Sequence, residues 1–191
     1  MNKQNYNMNS KHTIKRILRE STENNNITRI AVFDFDGTLV NSPLPDEGRK
    51  EYETITGQKW PHKGWWGRAE SLDTNIFDIK PIQSVLSAYK KEKSIPNTLV
   101  IMMTGRIQAL SKQVESILSK YGFKFDEYHY NNGGSTLNYK KDTLDDLVNR
   151  YPNVKSMILF DDRLEHVEPF KQWGSGLKDI DFDVIHVESN E

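Results

Sequence analysis

Ile30-Ala31-Val32-Phe33-Asp34-Phe35-Asp36-Gly37-Thr38-Leu39 is the stretch on which the fold reading turns. Four apolar residues run without interruption into two aspartates, a glycine and a threonine. A strand with one wet face would alternate apolar and polar side chains, whereas a strand covered on both faces needs a continuous apolar run. Strands of that kind belong to parallel sheets, and in such sheets ligands bind beyond the carboxyl ends. The apolar run is therefore read as core and the polar residues after it as a site.

Working outward, Leu99-Val100-Ile101-Met102-Met103, Met157-Ile158-Leu159-Phe160 and Val184-Ile185-His186-Val187 read as further strands. Helical spacing recurs between them: Ile82, Val85, Leu86 and Tyr89 after Pro81, then Leu110, Val114, Ile117 and Leu118, then Leu144, Leu147, Val148 and Tyr151. Gly122 is placed to end the second of these helices. Strands alternating with helices indicate an α/β domain, with a mainly parallel, Rossmann-like sheet and helices on both faces. Two segments break the rhythm. Residues 1–28 read as an N-terminal extension with one helix, marked by Ile14, Ile17 and Leu18, ahead of a domain over 29–191. Residues 41–78 hold Pro43, Pro45, Pro61 and three of the four tryptophans without periodicity, and read as a flap or small cap inserted after the first strand.

Each major apolar run ends in polar chemistry: Asp34 to Thr38, then Thr104-Gly105-Arg106, then Asp161-Asp162-Arg163. In extended chain, residues two apart point the same way, so Asp34 and Asp36 could share a divalent cation. Asp161 or Asp162 would complete an oxygen-only site suited to magnesium. The competing reading of Asp36-Gly37 is a simple turn. Unpaired carboxylates crowded together without a cation would repel, and this weighs against the turn alone. Spacing does not choose between Lys140 and Lys141, both one turn before Leu144.

Asp34-x-Asp36-Gly37-Thr38-Leu39 resembles the first motif of the haloacid dehalogenase superfamily. Thr104, Lys140 and Asp161-Asp162 match its later motifs in order, so that the resemblance spans residues 29–175. What it implies is a magnesium-dependent phosphatase with an aspartyl-phosphate intermediate. Asp34 would be the nucleophile, and Asp36 would protonate the leaving oxygen and then activate water. Thr104 and Lys140 would hold the transferring phosphoryl group beside Gly37, Thr38 and Gly105. The implied metal ligands are drawn from Asp34, Asp36, Asp161 and Asp162.

Thr136-x-x-Tyr139-Lys140, Asp161-Asp162-Arg163-x-x-His166, Gly64-Trp65-Trp66 and Glu70-Ser71-Leu72 are similar to the haloacid dehalogenase domain called Swiss Army Knife RNA repair-like. The phosphatase half of polynucleotide kinase-phosphatases shares the Gly-Arg and the paired aspartates. Both resemblances imply a phosphorylated nucleic-acid end as substrate, RNA before DNA, carrying a 3′ or cyclic 2′,3′ phosphate. The repair-like domains commonly carry Glu-Asp where this chain has Asp161-Asp162, which leaves open which carboxylate touches the metal. Arg106 suits a second phosphate or the substrate backbone through its planar fork. Arg163 and His166 are further candidates for substrate contact. Trp65 and Trp66, between Lys63 and Arg68, could stack bases. The alternative for these rings is packing of the flap.

The chain of 191 residues carries 26 Lys and Arg against 27 Asp and Glu, a net charge of −1 that demands no polyanionic partner. Zero cysteines exclude disulfides, a disulfide-linked partner, a zinc ribbon and a thiol nucleophile. No apolar run is long enough to cross a bilayer and the first residues are polar, so the expectation is a cytoplasmic protein with no membrane partner. There is no Gly-x-x-x-x-Gly-Lys-Ser/Thr loop, hence no P-loop kinase half within the sequence. Besides a nucleic-acid-end phosphatase, the sequence admits a phosphatase of a small phosphomonoester such as a nucleotide or sugar phosphate. It also admits a non-catalytic nucleic-acid-binding module on the same fold.

Overall fold

In the computed structural model, which describes residues 26–188, the decisive apolar run is the middle strand of a five-stranded, all-parallel sheet. The expected helix around Ile14, Ile17 and Leu18 lies outside the described residues. The strands are β1 (Arg29–Phe33), β2 (Thr98–Ile107), β3 (Glu127–Asn131), β4 (Ser156–Asp161) and β5 (Asp181–His186), arranged in space as β3-β2-β1-β4-β5. Among the described residues five α-helices complete the alternation: α1 (Pro45–Thr56), α2 (Gln83–Ser94), α3 (Ser111–Lys120), α4 (Thr136–Arg150) and α5 (Leu164–Ser175).

Successive residues of β1 serve opposite faces, as strand geometry requires. Ala31 and Phe33 join Val85 and Tyr89 of α2 and Val114, Ile117 and Leu118 of α3. Ile30 and Val32 join Leu144 and Leu147 of α4 and Phe170 of α5. Fully burying one such side chain stabilises the fold by about 1.5–3 kcal/mol, so two cores built on one strand fix its position firmly. Phe33 pairs with Met102 and Phe160 in register. Its ring stacks on that of Phe160, with centroids 4.5 Å apart.

From β1 the chain winds one way to β2 and β3, then crosses back to β4 and β5 on the other side. The gap beyond the carboxyl ends of β1 and β4 is therefore the place where connections diverge and a crevice opens. Asp34 and Asp161 are the residues delivered to it.

Three features differ from the sequence reading. A strand forms at Glu127-Tyr128-His129-Tyr130-Asn131, whose polar composition suits the sheet edge it occupies. β2 runs on through Thr104, Gly105 and Arg106, with a register irregularity between Thr104 and Ile107. The segment 41–78 contains the helix α1, which begins with Pro45 and buries only Gly48, so it shows no apolar stripe. That segment leaves and rejoins the domain at one point: Asn41 N–H donates to Lys80 O at 3.0 Å, and Lys80 N–H donates to Asn41 Oδ1 at 2.6 Å.

Candidate active site

Asp34 takes the last ladder position, its N–H donating to Phe160 O at 2.9 Å. The chain then curls. Leu39 N–H reaches Phe35 O at 3.1 Å, Gly37 N–H reaches Val40 O at 2.8 Å, and Gly37 adopts φ +67°. A side chain on Gly37 would be strained and would also collide, because its Cβ would lie 2.4 Å from Asp162 Oδ2. Since the backbone is no longer extended, Asp34 and Asp36 diverge.

Asp34, Asp161 and Asp162 can each place one carboxylate oxygen within 4.8 Å of the others. Lys140, from the second turn of α4, is buried with them. Its Nζ lies 2.8 Å from Asp34 Oδ1 and donates to Asp161 Oδ2 at 2.7 Å. Lys140 therefore occupies the place that spacing left open between it and Lys141. Burial pushes the Asp34 carboxyl well above its usual range; Lys140 draws it back, while Asp161 and Asp162 push it further. Burial would also raise Asp161, but Lys140 beside it holds it at about 2. Asp162 is pushed up to about 6 by burial and by its neighbour Asp161. Burial works against the charge on Lys140, and the Coulombic pull of Asp34 and Asp161 more than offsets it.

Three carboxyl groups stand against one ammonium, Asp34 and Asp161 buried and Asp162 partly exposed. Their oxygen-only chemistry fits a hard divalent cation such as magnesium. The side chain of Asp36 is not part of this trio. Arg106 grips it through both ends of its fork, Nε to Oδ2 and Nη2 to Oδ1, each at 2.8 Å. The Ser42 hydroxyl adds a 2.5 Å bond to Oδ1. Arg106 is 1% exposed. Its remaining Nη1 donates to Trp66 O at 3.0 Å and to Ser71 Oγ at 2.6 Å.

A cavity of about 410 Å³ opens over these groups. Asp34, Asp36, Gly105, Arg106, Lys140 and Asp162 line it, together with Leu44 and Trp66 of the segment 41–78 and Arg163. Thr104 is fully buried, and its Oγ1 accepts the Arg106 N–H at 3.1 Å. Thr38 is also fully buried, with no hydrogen-bond partner for its hydroxyl.

Trp65 corrects the expectation that both adjacent tryptophans face the substrate. Its ring is buried against Trp60 and Phe77, and it donates Nε1–H to Pro43 O at 3.1 Å. It fills the space left by Gly48, where a Cβ would lie 2.2 Å from the ring. Trp66 stands at the cavity, with the Arg106 guanidinium 4.9 Å from the centre of its ring. His166 is buried behind the carboxylates rather than facing the cavity. Its Nδ1 is 3.6 Å from Asp161 Oδ1, too long for a hydrogen bond, and its ring meets Phe170 edge-on. Sequence reasoning did not single out Ser42, Thr136 or Glu165 as site residues. Thr136 packs so close to Gly105 that a Cβ there would lie 2.9 Å from its Cγ2, and the strand-end glycine is the trace of that contact in the sequence.

Comparison with known proteins bears on this geometry. An uncharacterised protein of Saccharomyces cerevisiae, YMR265C, is 26% identical over 170 residues, covering 77% of this chain and 37% of the yeast protein. The chain thus spans little more than a third of that relative's length. Two solved structures of the Pnkp1/Rnl/Hen1 complex each contain a chain of similar fold. One, described as an RNA repair complex, has a TM-score of 0.56 at 18% identity, covering 85% of this chain and 43% of that one. The other has a TM-score of 0.55 at 17% identity, covering 85% and 46%. Residues 42–191 match a family of haloacid dehalogenase domains. That stretch holds Arg106, Lys140, Asp161 at the end of β4 and Asp162 just after it, and it begins past Asp36. With most of its length matched, and with the parallel sheet to go with it, the chain belongs to HAD domain family 1 of the Swiss Army Knife RNA repair proteins.

Proposed function

We propose that this domain is a magnesium-dependent phosphatase that removes a terminal 3′ or cyclic 2′,3′ phosphate from a nucleic-acid end, RNA before DNA, in a reducing, cytoplasmic setting. The observation that carries the reading is the separation of two carboxylates two residues apart. Asp34 sits with Lys140, Asp161 and Asp162, while Asp36 sits with Arg106 and Ser42. Different environments assign different roles, nucleophile to the first and acid–base to the second.

On a 3′ phosphomonoester an Asp34 oxygen attacks phosphorus and the bond to the sugar oxygen breaks; a cyclic 2′,3′ phosphate would pass through the cycle twice, opening first to a monoester. The sugar oxygen keeps the electron pair and takes a proton from Asp36. Asp36 then accepts a proton from water as the water attacks phosphorus, the bond to Asp34 breaks, and inorganic phosphate leaves. Lys140 stays within reach of the reacting carboxylate throughout, and the Thr104 hydroxyl would help hold the transferring group. Asp34, Asp161 and Asp162 would hold magnesium, which offsets repulsion between nucleophile and phosphate dianion when bound.

The nucleic-acid part of the proposal draws on the family, on the RNA repair assemblies in which similar folds occur, and on Trp66 and Arg163 at the cavity. Arg163 has no side-chain ion pair among the described residues, so its charge is available to a substrate backbone. A small phosphomonoester is the second reading, favoured by a cavity volume suited to a single nucleotide. A phosphate-release screen comparing 3′-phosphorylated and cyclic-ended oligonucleotides with nucleotides and sugar phosphates tests both. Asp34→Asn and EDTA serve as controls, and each should abolish release. Release by Asp34→Asn at the wild-type rate would refute the covalent route.

A further inference from the structure

We infer that Ser71 is a positioning residue for the acid–base step, through which the insertion aims Asp36. This rests on the proposed roles of Asp34 and Asp36.

Ser71 belongs to a short 3-10 turn, Ala69–Leu72, and is fully buried. Its hydroxyl proton is committed to Arg68 O at 2.6 Å, so the oxygen's lone pairs are left to accept from Arg106 Nη1, also at 2.6 Å. Arg106 is equally closed to water, and its guanidinium is planar and rigid. Fixing Nη1 between Ser71 Oγ and Trp66 O therefore fixes the direction of Nε and Nη2, which grip both oxygens of Asp36. From the other end of the same insertion, Ser42 holds Asp36 Oδ1. The acid–base carboxylate is thus clamped from both ends of one segment. Neither Ser71 nor Arg106 is replaceable by solvent. Removing the Ser71 oxygen leaves a buried guanidinium donor without its partner, and the fork turns to find another.

Such a residue has a kinetic signature that simple packing lacks. Transfer from a sugar alcohol needs the proton of Asp36, whereas transfer from 2,4-dinitrophenyl phosphate, with its stable phenolate, does not. The ratio kcat/KM reports steps through departure of the leaving group. Ser71→Ala should lower it about ten- to a hundredfold for a 3′-phosphorylated oligonucleotide, within the range that general acids supply, and by no more than about twofold for the dinitrophenyl ester. In an Asp36→Ala background the same substitution should add no further loss, because the group it aims is gone. Ser71→Cys, whose sulfur is only a weak acceptor, should reproduce the leaving-group-selective loss, and it stands in if Ser71→Ala does not fold. Equal losses on both esters, or an additive loss with Asp36→Ala, would overturn the assignment while leaving the phosphatase reading in place. Wild-type protein inert towards both esters would instead remove the phosphatase reading itself.

Discussion

Lys140 Nζ lies 2.8 Å from Asp34 Oδ1, and neither side chain has meaningful contact with solvent. The ammonium is the counter-charge of a trio of acids, so its removal should show first in stability. Lys140→Met is expected to lower the stability of the metal-free protein by about 3–5 kcal/mol, the effect of stranding buried charge. Magnesium should then raise the melting temperature of the variant more than that of the wild type. Thermal denaturation with and without magnesium reads both effects, and an unchanged melting temperature in EDTA would contradict them.

Gly37→Ala combines two penalties at one atom. A residue with a Cβ in the left-handed region costs about 1–2 kcal/mol. The new methyl would also displace the Asp162 carboxylate, which lies 2.4 Å from the Cβ position. Magnesium affinity, measured by titration calorimetry, should fall about ten- to a hundredfold, as it does when the support of a metal ligand is disturbed.

The adjacent tryptophans should behave oppositely. Trp65→Ala empties the space against Gly48, Trp60 and Phe77 and should cost about 3–5 kcal/mol of stability. Trp66→Ala should fold and lower kcat/KM for a phosphorylated oligonucleotide about ten- to a hundredfold, the worth of one stacked base, while sparing para-nitrophenyl phosphate. Equal losses on both substrates would make Trp66 structural too.

Away from the site, Glu127 provides the pH prediction. Burial would raise its carboxyl, but hydrogen bonds from His129, Arg150 and Tyr151 hold it well below the usual carboxylate range. The three partners lie at 2.7 Å, 2.7 Å and 2.5 Å. A carboxyl whose folded value is depressed stabilises the protein above its unfolded value, near pH 4.5, and loses that contribution as pH falls towards the folded value. Glu127→Gln should therefore cost about 1–3 kcal/mol at pH 7 in urea denaturation. The gap should narrow steadily below about pH 4.5.

The fold was legible wherever burial on both faces forced an unbroken apolar run, which is why β1, β2 and β4 stood out, with the acids at the ends of β1 and β4. Glu127 to Asn131 carry no such run because an edge strand answers to one neighbour only. The helix α1 hid for a related reason: it buries one glycine, so no periodic stripe was imposed on it. Within the site, Asp34, Lys140 and Asp161 lie where strand ends and helix spacing put them. The path of Asp36 was not readable from its spacing, since the rule for residues two apart fails once Gly37 turns the chain. Ser42 left no signal and Ser71 was marked only as part of Glu70-Ser71-Leu72, because a serine acquires its role only from the distant side chain that folding brings to it.

The central place of β1 sets the order in which the protein becomes competent during synthesis. Of the five strands of this sheet β1 leaves the ribosome first, yet it is flanked by strands that begin at Thr98 on one side and Ser156 on the other. Until β4 emerges, a nascent chain carries an unpaired apolar edge along Ile30 to Phe33, the kind of edge that recruits other chains. The late strand that covers this edge also delivers Asp161, so protection from aggregation and completion of the acidic trio arrive in the same event.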